Sequence, residues 1–490
     1  MDLAIIIIYT IASALILLYS FSQLNLLFKY LRSRKQMGDE KALDLNNPDE
    51  VPYVTIQLPL YNEMYVVERL LKNIAEIEYP REKLEIQVLD DSTDESVFKT
   101  ENLVKELRTE GLDIIHIRRK IRSGFKAGAL KEGLKTAKGE FIAVFDSDFM
   151  PEKDWLLQTI PYFKDEETGM VQTRWGHINR DYSLLTRVLA FALDFHFIME
   201  QSGRNFGKHF MNFNGTAGVW RKACILDAGN WNGDTLTEDL DLSYRAQLKN
   251  WKFKYLENVV TPAELPVVIS AAKSQQFRWN KGAAENFRKN FFHLLKDKDQ
   301  TAGTKFHGFF HLLNSSLFFL LLVLAVLSVP VLYIKNSNPQ FSWYFNLMAG
   351  FAFSAVIFLI CYWFTWSRIH GTGLKSFFKF CGMFFAFFSV AMGLSLHNSV
   401  AILEGHFGKK SEFIRTPKFN INNIRDSWKG NIYLNKGFSI KIIPEILLLL
   451  YFIFGIYSAF ILQDFGLVLF HLMLVAGFGF IVTKELSAEG

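Results

Sequence analysis

The strongest limit on what this chain can fold into is a set of apolar runs long enough to cross a bilayer, arranged around one block that is not. Apolar stretches of 18 or more residues read as membrane-spanning helices. They occur at about 3–28, 309–334, 344–366 and 446–483, the last long enough for a two-helix hairpin around Gln463 and Asp464. A further run at 376–403 is broken by Lys379, Gly382, Gly393 and His397. From about Lys29 to His307 the charge is mixed and the apolar runs are short. The expected organisation is an N-terminal anchor at 1–28, a soluble domain at 29–308 and a membrane region at 309–490, with Glu40–Glu50 as the linker into the soluble block.

Charge sets the orientation. The first apolar run lacks a basic lead and is followed by Lys29, Arg32, Arg34 and Lys35, the pattern of an uncleaved anchor whose C-terminal end is cytoplasmic. The segment 404–441 carries eight basic residues (Lys409, Lys410, Arg415, Lys418, Arg425, Lys429, Lys436, Lys441) and belongs on the same side. One full crossing by 376–403 would put that segment outside, so 376–403 is expected to be interfacial or re-entrant. The net charge of +5 is too small to argue for nucleic acid. Cys224, Cys361 and Cys381 have no motif spacing, which suggests a reduced setting without a disulfide framework.

Inside the soluble block, short β-branched runs alternate with helical patterns: VTIQLPL (54–60), LEIQVLD (84–90), DIIHIRR (113–119) and EFIAVFD (140–146). That alternation predicts a mainly parallel α/β sheet with helices on both faces and ligands at the carboxyl ends of its strands. Three of the four runs end in polar clusters: YNE, DDSTD and DSD. Asp146 and Asp148 are oxygen ligands suited to Mg²⁺ or Mn²⁺ bridging a diphosphate. Asp90 and Asp91 either hold a base or ribose or cap the helix that follows. Lys126, in RSGFKAGAL, reaches the diphosphate or is simply solvated. TEDLDLSYR (237–245) packs three carboxylates before a helical run. They favour the helix dipole, or one of them is a general base for an attacking hydroxyl. Gln275, Arg278 and Trp279 in QQFRWNKG are spaced to share one helix face.

Together YNE, LDDSTD, FKAGAL, FDSDF, FNGTAGVWR, TED and QQFRW, spread over Val54 to Arg288, resemble an inverting glycosyltransferase of family 2 with a GT-A-type domain. Within it, QVLDDSTD, VQTRW, NFNGTAGVWR, WKFKYL and ELP are most similar to the cellulose-synthase-like A and C group, the mannan, glucomannan and xyloglucan-backbone synthases. The resemblance implies that Asp90 and Asp91 contact the nucleotide, that Asp146 and Asp148 hold the metal, and that Lys126 lies near the donor phosphates. It implies Asp239 as catalytic base, and Gln275, Arg278 and Trp279 as the set that binds the acceptor and the leaving diphosphate. Phe149 follows D-x-D as in that group, whereas NKG after QQFRW departs from its usual Cys-Gly-Pro or Gly-Gly-Pro. EFIRTPKF resembles the F-x-V-T-x-K gating loop of bacterial cellulose synthase, with Thr416 and Lys418 meeting bound donor. The implied enzyme is multi-pass, with its catalytic domain cytoplasmic, in a plasma membrane if bacterial or a Golgi membrane if from a plant. It would extend a β-linked glycan from a UDP- or GDP-hexose. The rivals are a glycolipid synthase with a lipid acceptor and, from another class, a membrane transporter or receptor without enzyme activity.

Overall fold

The computed structural model describes residues 2–34, 43, 51–411, 414–434 and 442–487. All of the linker 40–50 except Leu43, together with Lys35, Glu412, Phe413, Lys436 and Lys441, lies outside the described residues.

The soluble block is built on a seven-stranded sheet: β1 (Val54–Leu60), β2 (Leu84–Asp90), β3 (Ile114–Arg118), β4 (Phe141–Val144), β5 (Thr168–His177), β6 (Gly218–Arg221) and β7 (Lys252–Ala263). Their order is β3-β2-β1-β4-β6-β5-β7. The first four strands are parallel neighbours, β6 runs antiparallel between β4 and β5, and β5 pairs β7 in parallel. Parallel neighbours need crossover connections, and the helices Val67–Ala75, Ser96–Thr109 and Phe125–Thr136 supply them where the sequence pattern places them. Strands β5 to β7 have no such regular alternation around them. They extend the sheet through tertiary pairing alone.

Each face of the sheet has its own apolar core. Ile56, Leu58, Ile86 and Val88 pack against Leu70, Leu71, Ile74 and Val104 on one face. Leu89, Ile142, Val144 and Trp220 pack against Leu130 and Leu134 on the other. The alternating polar residues of β1 and β2 are buried as well. Thr55 Oγ1 donates to Glu85 Oε2 at 2.7 Å and Gln57 Nε2 to Gln87 Oε1 at 3.0 Å. Cross-strand bonds of this kind satisfy groups that would be expensive to bury alone.

Among the described residues, six helical stretches are long and apolar enough to cross a membrane: Asp2–Ser33, Ala302–Ser337, Pro339–His370, Leu374–Gly393, Ile443–Ile461 and Val468–Ser487. The run expected from 309 therefore begins within a helical stretch that starts at Ala302. The 446–483 run is two helices with Gln463 at φ 53° between them. The 376–403 run is also two helices, Leu374–Gly393 and Ser395–His406. The run meets the soluble domain, as does the helix end just before it. Before it, Arg368 Nε pairs with Glu257 Oε1 of β7 at 3.1 Å. After its break, His397 Nε2 lies 3.0 Å from the Lys273 carbonyl, and Lys281 Nζ pairs with Glu404 Oε2 at 3.1 Å. In between, Val390 and Leu394 pack on Leu185, Leu189, Leu265 and Ile269.

Candidate active site

The carboxyl ends of β1, β2 and β4 open onto one cavity of about 170 Å³. Strand β1 delivers Tyr61 and Glu63, β2 delivers Asp91, and β4 delivers Asp146 and Asp148. The facing wall holds Gly215, then Glu238 and Asp239 from the start of the helix Glu238–Gln247. Gln275, Arg278 and Trp279 follow from the helix Ile269–Lys296, and Arg415, Thr416 and Lys418 from the 414–434 segment. Every site residue named from the sequence lines this cavity except Asp90. Asp90 is 1% exposed, and its carboxylate is taken by His116 Nε2 at 2.9 Å and by the Ser92 N–H at 2.8 Å. Successive residues of an extended chain point to opposite sides, so Asp90 and Asp91 do not face the same space.

Each acid of the donor half has a cation against it. Arg119 clasps Asp91 with both arms of its fork, at 2.9 and 2.5 Å. Arg122 lies over the Tyr61 ring, 3.4 Å from its centroid. Lys126 Nζ meets Asp146 Oδ1 at 2.5 Å and the Gly215 carbonyl at 2.8 Å. Burial alone would depress Lys126, but Asp146, Glu238 and Asp239 outweigh it and hold its ammonium above the ordinary range. Lys418 Nζ sits 2.8 Å from Asp148 Oδ1. Arg415 donates to the carbonyls of Tyr61 and Asn62 and stands 3.7 Å from Glu63. Burial pushes Glu63 up to about 7, against the pull of Arg415 and Lys418. The two forks Arg119 and Arg122 were missed from the sequence. Their signal was RRKIRSG after the third strand, which among the four runs read from the sequence is the one whose end carries bases instead of acids. Backbone strain gathers here as well: Asn62, Phe125 and Ala217 have φ of 57°, 48° and 53°, unfavourable for residues with a Cβ.

The TED cluster separates into distinct roles. Asp241 is fully buried and paired with Arg245 and with Lys289 at 2.8 and 2.9 Å, tying its helix to Ile269–Lys296. Asp239 lines the cavity and accepts the Leu240 N–H at 2.9 Å. Burial, and then the neighbouring Glu238 carboxylate, push Asp239 up to about 7. The departure NKG has a packing explanation. A Cβ on Gly282 would fall 2.5 Å from Thr237 Oγ1, so only glycine lets the long helix approach the start of TED this closely. Arg278 Nη2 donates to Thr416 Oγ1 at 2.8 Å, joining the acceptor helix to the 414–434 segment.

A second cavity of about 260 Å³ adjoins the first and shares Trp175, Asn214, Asp239 and Trp279 with it. It runs toward His311, Asn314, Ser315 and Phe318 of the stretch Ala302–Ser337.

The D-x-D pair fits a divalent cation. Asp148 Oδ1 is buried with no hydrogen-bond donor, because Lys418 approaches it off the hydrogen-bond direction. Among the described residues no three His, Cys, Asp or Glu converge as a self-sufficient metal cage. A hard cation here would complete its shell with water and diphosphate oxygens, as Mg²⁺ and Mn²⁺ do.

The chain is similar to known proteins in sequence and in fold. The family model "Glycosyltransferase like family 2" matches residues 52–282. A probable glucomannan 4-beta-mannosyltransferase of Oryza sativa subsp. japonica is 42% identical over 293 residues, covering 58% of this chain and 48% of that protein. A glucomannan 4-beta-mannosyltransferase of Arabidopsis thaliana is 40% identical over 261 residues, covering 52% and 49%. The chain thus spans about half the length of the curated relatives it matches. A solved mannosyltransferase from Pyrobaculum calidifontis, in complex with GDP-Man and Mn²⁺, matches with a TM-score of 0.53 at 19% identity, covering 84% of this chain and all of that one. That likeness is one of fold, of the GT-A type.

Proposed function

Residues 52–282 are a glycosyltransferase domain of family 2, and from that premise we propose that the chain is a membrane-embedded inverting hexosyltransferase that extends a β-linked polysaccharide from a nucleotide sugar. GDP-mannose is the first candidate donor, from the relatives' names and the neighbour's ligand, and UDP-glucose the second. The observation that carries the reading is the convergence of Asp91, Asp146, Asp148, Asp239 and the Gln275–Arg278–Trp279 set on one cavity.

In this reading Tyr61, Asp91 and Arg122 hold the base and ribose. Asp146 and Asp148 would hold Mg²⁺ or Mn²⁺, which when bound would neutralise charge on the diphosphate and make it a better leaving group. Asp239, with its pKa near 7, removes the proton from an acceptor hydroxyl. That oxygen attacks C1 of the donor sugar from the face opposite the diphosphate. The new C1–O bond forms as the old one breaks, and the configuration inverts. Lys126, Lys418 and Arg278 meet the charge developing on the departing diphosphate. Trp279 offers the acceptor ring an apolar face.

The second cavity carries a row of amides that suits the hydroxyls of a glycan acceptor. His196, Asn212, Asn214, Gln276, Asn280 and Asn314 line it alongside Trp175, Phe197 and Trp279, with Leu193, Leu240, Ala283 and Phe318 completing the wall. We read 374–406 as lying on the same side of the membrane as the catalytic domain, because its second helix bonds to that domain and Arg368, just before the first, does so too. The catalytic face is then cytoplasmic, in line with the basic residues after the first helix.

The test is incubation of membranes containing the full chain with labelled GDP-mannose or UDP-glucose and Mn²⁺. A labelled polymer that a linkage-specific mannanase or glucanase digests is expected. Label confined to a lipid extract would favour the glycolipid synthase, and no transfer from any nucleotide hexose would refute the assignment.

A further inference from the structure

The acceptor-side cavity is lined by two residues of the extended stretch before β6, Asn212 and Asn214. Asn214 also reaches the main cavity, where Asp239 stands. Its amide is gripped at both ends. Gln201 Nε2 donates to Asn214 Oδ1 at 2.7 Å, and Asn214 Nδ2 lies 3.0 Å from His196 Nε2. On the far side of that ring His196 Nδ1 is 2.8 Å from Glu200 Oε2, and Arg204 Nη2 reaches Glu200 Oε1 at 3.3 Å.

The chemistry of this chain of groups fixes its direction. A carboxylate paired with a guanidinium only accepts hydrogen bonds, so His196 carries its proton on Nδ1 and offers Nε2 as an acceptor. Asn214 must then turn its NH₂ to His196 and its oxygen to Gln201. One N–H and one oxygen lone pair are left over, in a known orientation, at the junction of the two cavities. The backbone is shaped to hold this. Phe195–Glu200 is a π-helical turn inserted between the helices Leu184–Asp194 and Gln201–Phe206, a distortion that concentrates at functional sites. Glu200 and Arg204 are 3% and 2% exposed. An ion pair buried so deeply gives little net stability, so its contribution is better sought in orientation than in folding energy.

We propose that Asn214 is a specificity-determining residue for the acceptor, its amide pairing with a ring hydroxyl of the terminal acceptor sugar. His196, braced by Glu200 and Arg204, is the positioning residue that sets which end of the amide faces the sugar. The inference rests on the glycosyltransferase reading and assigns that reading's acceptor subsite to a neutral amide relay rather than to charge.

The test uses the full chain in detergent and follows tryptophan fluorescence, since Trp175 and Trp279 line both cavities. Two titrations are run: GDP and UDP with Mn²⁺, and β-linked manno- and gluco-hexaoses. Loss of one net hydrogen bond predicts that Asn214→Ala weakens hexaose binding about tenfold and leaves nucleotide affinity within about twofold. His196→Ala is expected to weaken hexaose binding about fivefold, and His196→Gln, whose carboxamide oxygen can accept from Asn214, to recover most of it. Equal losses of nucleotide and hexaose affinity in Asn214→Ala would overturn the proposal. So would unchanged hexaose binding in Asn214→Ala or His196→Ala, or a His196→Gln variant no better than His196→Ala. A wild-type chain that binds nucleotide but neither hexaose overturns this inference alone, whereas one that binds no nucleotide overturns the function beneath it.

Discussion

The two halves of the candidate site are made of different material. On the donor half, carboxylates at strand ends are matched with cations from elsewhere in the fold: Arg119 on Asp91, Lys126 on Asp146, Lys418 on Asp148. On the acceptor half the groups are neutral: Trp279 and Gln276 from one helix, Asn214 from the stretch before β6, and the histidines behind them. On the proposed function the difference follows from the ligands. A metal and a diphosphate bring strong charge that must be met by charge, whereas a sugar ring brings hydroxyls and apolar faces that amides and indoles satisfy without an ionic desolvation penalty. Asp239 stands where the halves meet, with Asn214 and Trp279 beside it.

The sharpest break comes at that border. Asp239→Asn is expected to slow transfer by ~10²–10⁴-fold, the usual effect of losing a general base, while nucleotide affinity stays within about twofold. Single-turnover transfer and a nucleotide titration on the same preparation check both. Near-normal transfer would move the base to Glu238, because Asp241 is already committed to Arg245 and Lys289.

Asp148→Asn tests the charged half. Removing this ligand is expected to weaken Mn²⁺-dependent nucleotide binding by about 100-fold, the upper range for damage around a metal ligand. Calorimetry with GDP and UDP measures it, and hexaose binding should be almost unaffected. A parallel loss of both would mean that the halves are not separable.

The pH profile follows from Asp239. Its carboxyl is raised, so the working base is the deprotonated form, which dominates above its pKa and is lost as pH falls through about 7. Transfer should therefore rise about tenfold per pH unit on the acid limb and level off near 7. A limb centred near 4 would mean that Asp239 is not held in this environment during turnover.

Smaller effects sharpen the contrast. Trp279→Ala is expected to weaken hexaose binding about fivefold, from the loss of one aromatic contact, with nucleotide affinity unchanged. Equal weakening of both would transfer Trp279 to the donor half. Lys418→Met removes the ammonium that shares Asp148, a partly exposed pair. Nucleotide-free Mn²⁺ binding should tighten about threefold, read by electron paramagnetic resonance of the free ion. Weaker binding instead would show that Lys418 supports the metal rather than shares its carboxylate.

Much of this was written in the chain as a line of text. Short apolar runs of the right length gave β1 to β4 and the helices between them, since parallel pairing and crossover helices impose a local rhythm. Acids at strand ends pointed to the donor half, because a cluster of like charge has few reasons to exist without a cation. The i, i+3, i+4 spacing put Gln275, Arg278 and Trp279 on one helix face, where they are found.

Other features depend on residues far apart in sequence. Strands β5 to β7 exist because each finds a partner across the sheet. The polar residues that alternate in VTIQL and LEIQV lie on a covered face, where Gln57 pairs with Gln87 and Thr55 with Glu85 beneath a helix. Asp90 and Asp91 are adjacent and chemically identical, and only the register of β2 decides which is inside the sheet and which faces the cavity. The sequence by itself determined the helix-and-strand rhythm, the helices long and apolar enough to cross a membrane and the residue types the chemistry needs, because those depend on neighbours within a turn or a strand. Tertiary structure alone decided which carboxylate meets which cation, that Gly282 lets TED and the acceptor helix touch, and that Asn214 is clamped by His196. Those are contacts between segments tens of residues apart, and their distances are set by packing, which no local pattern encodes.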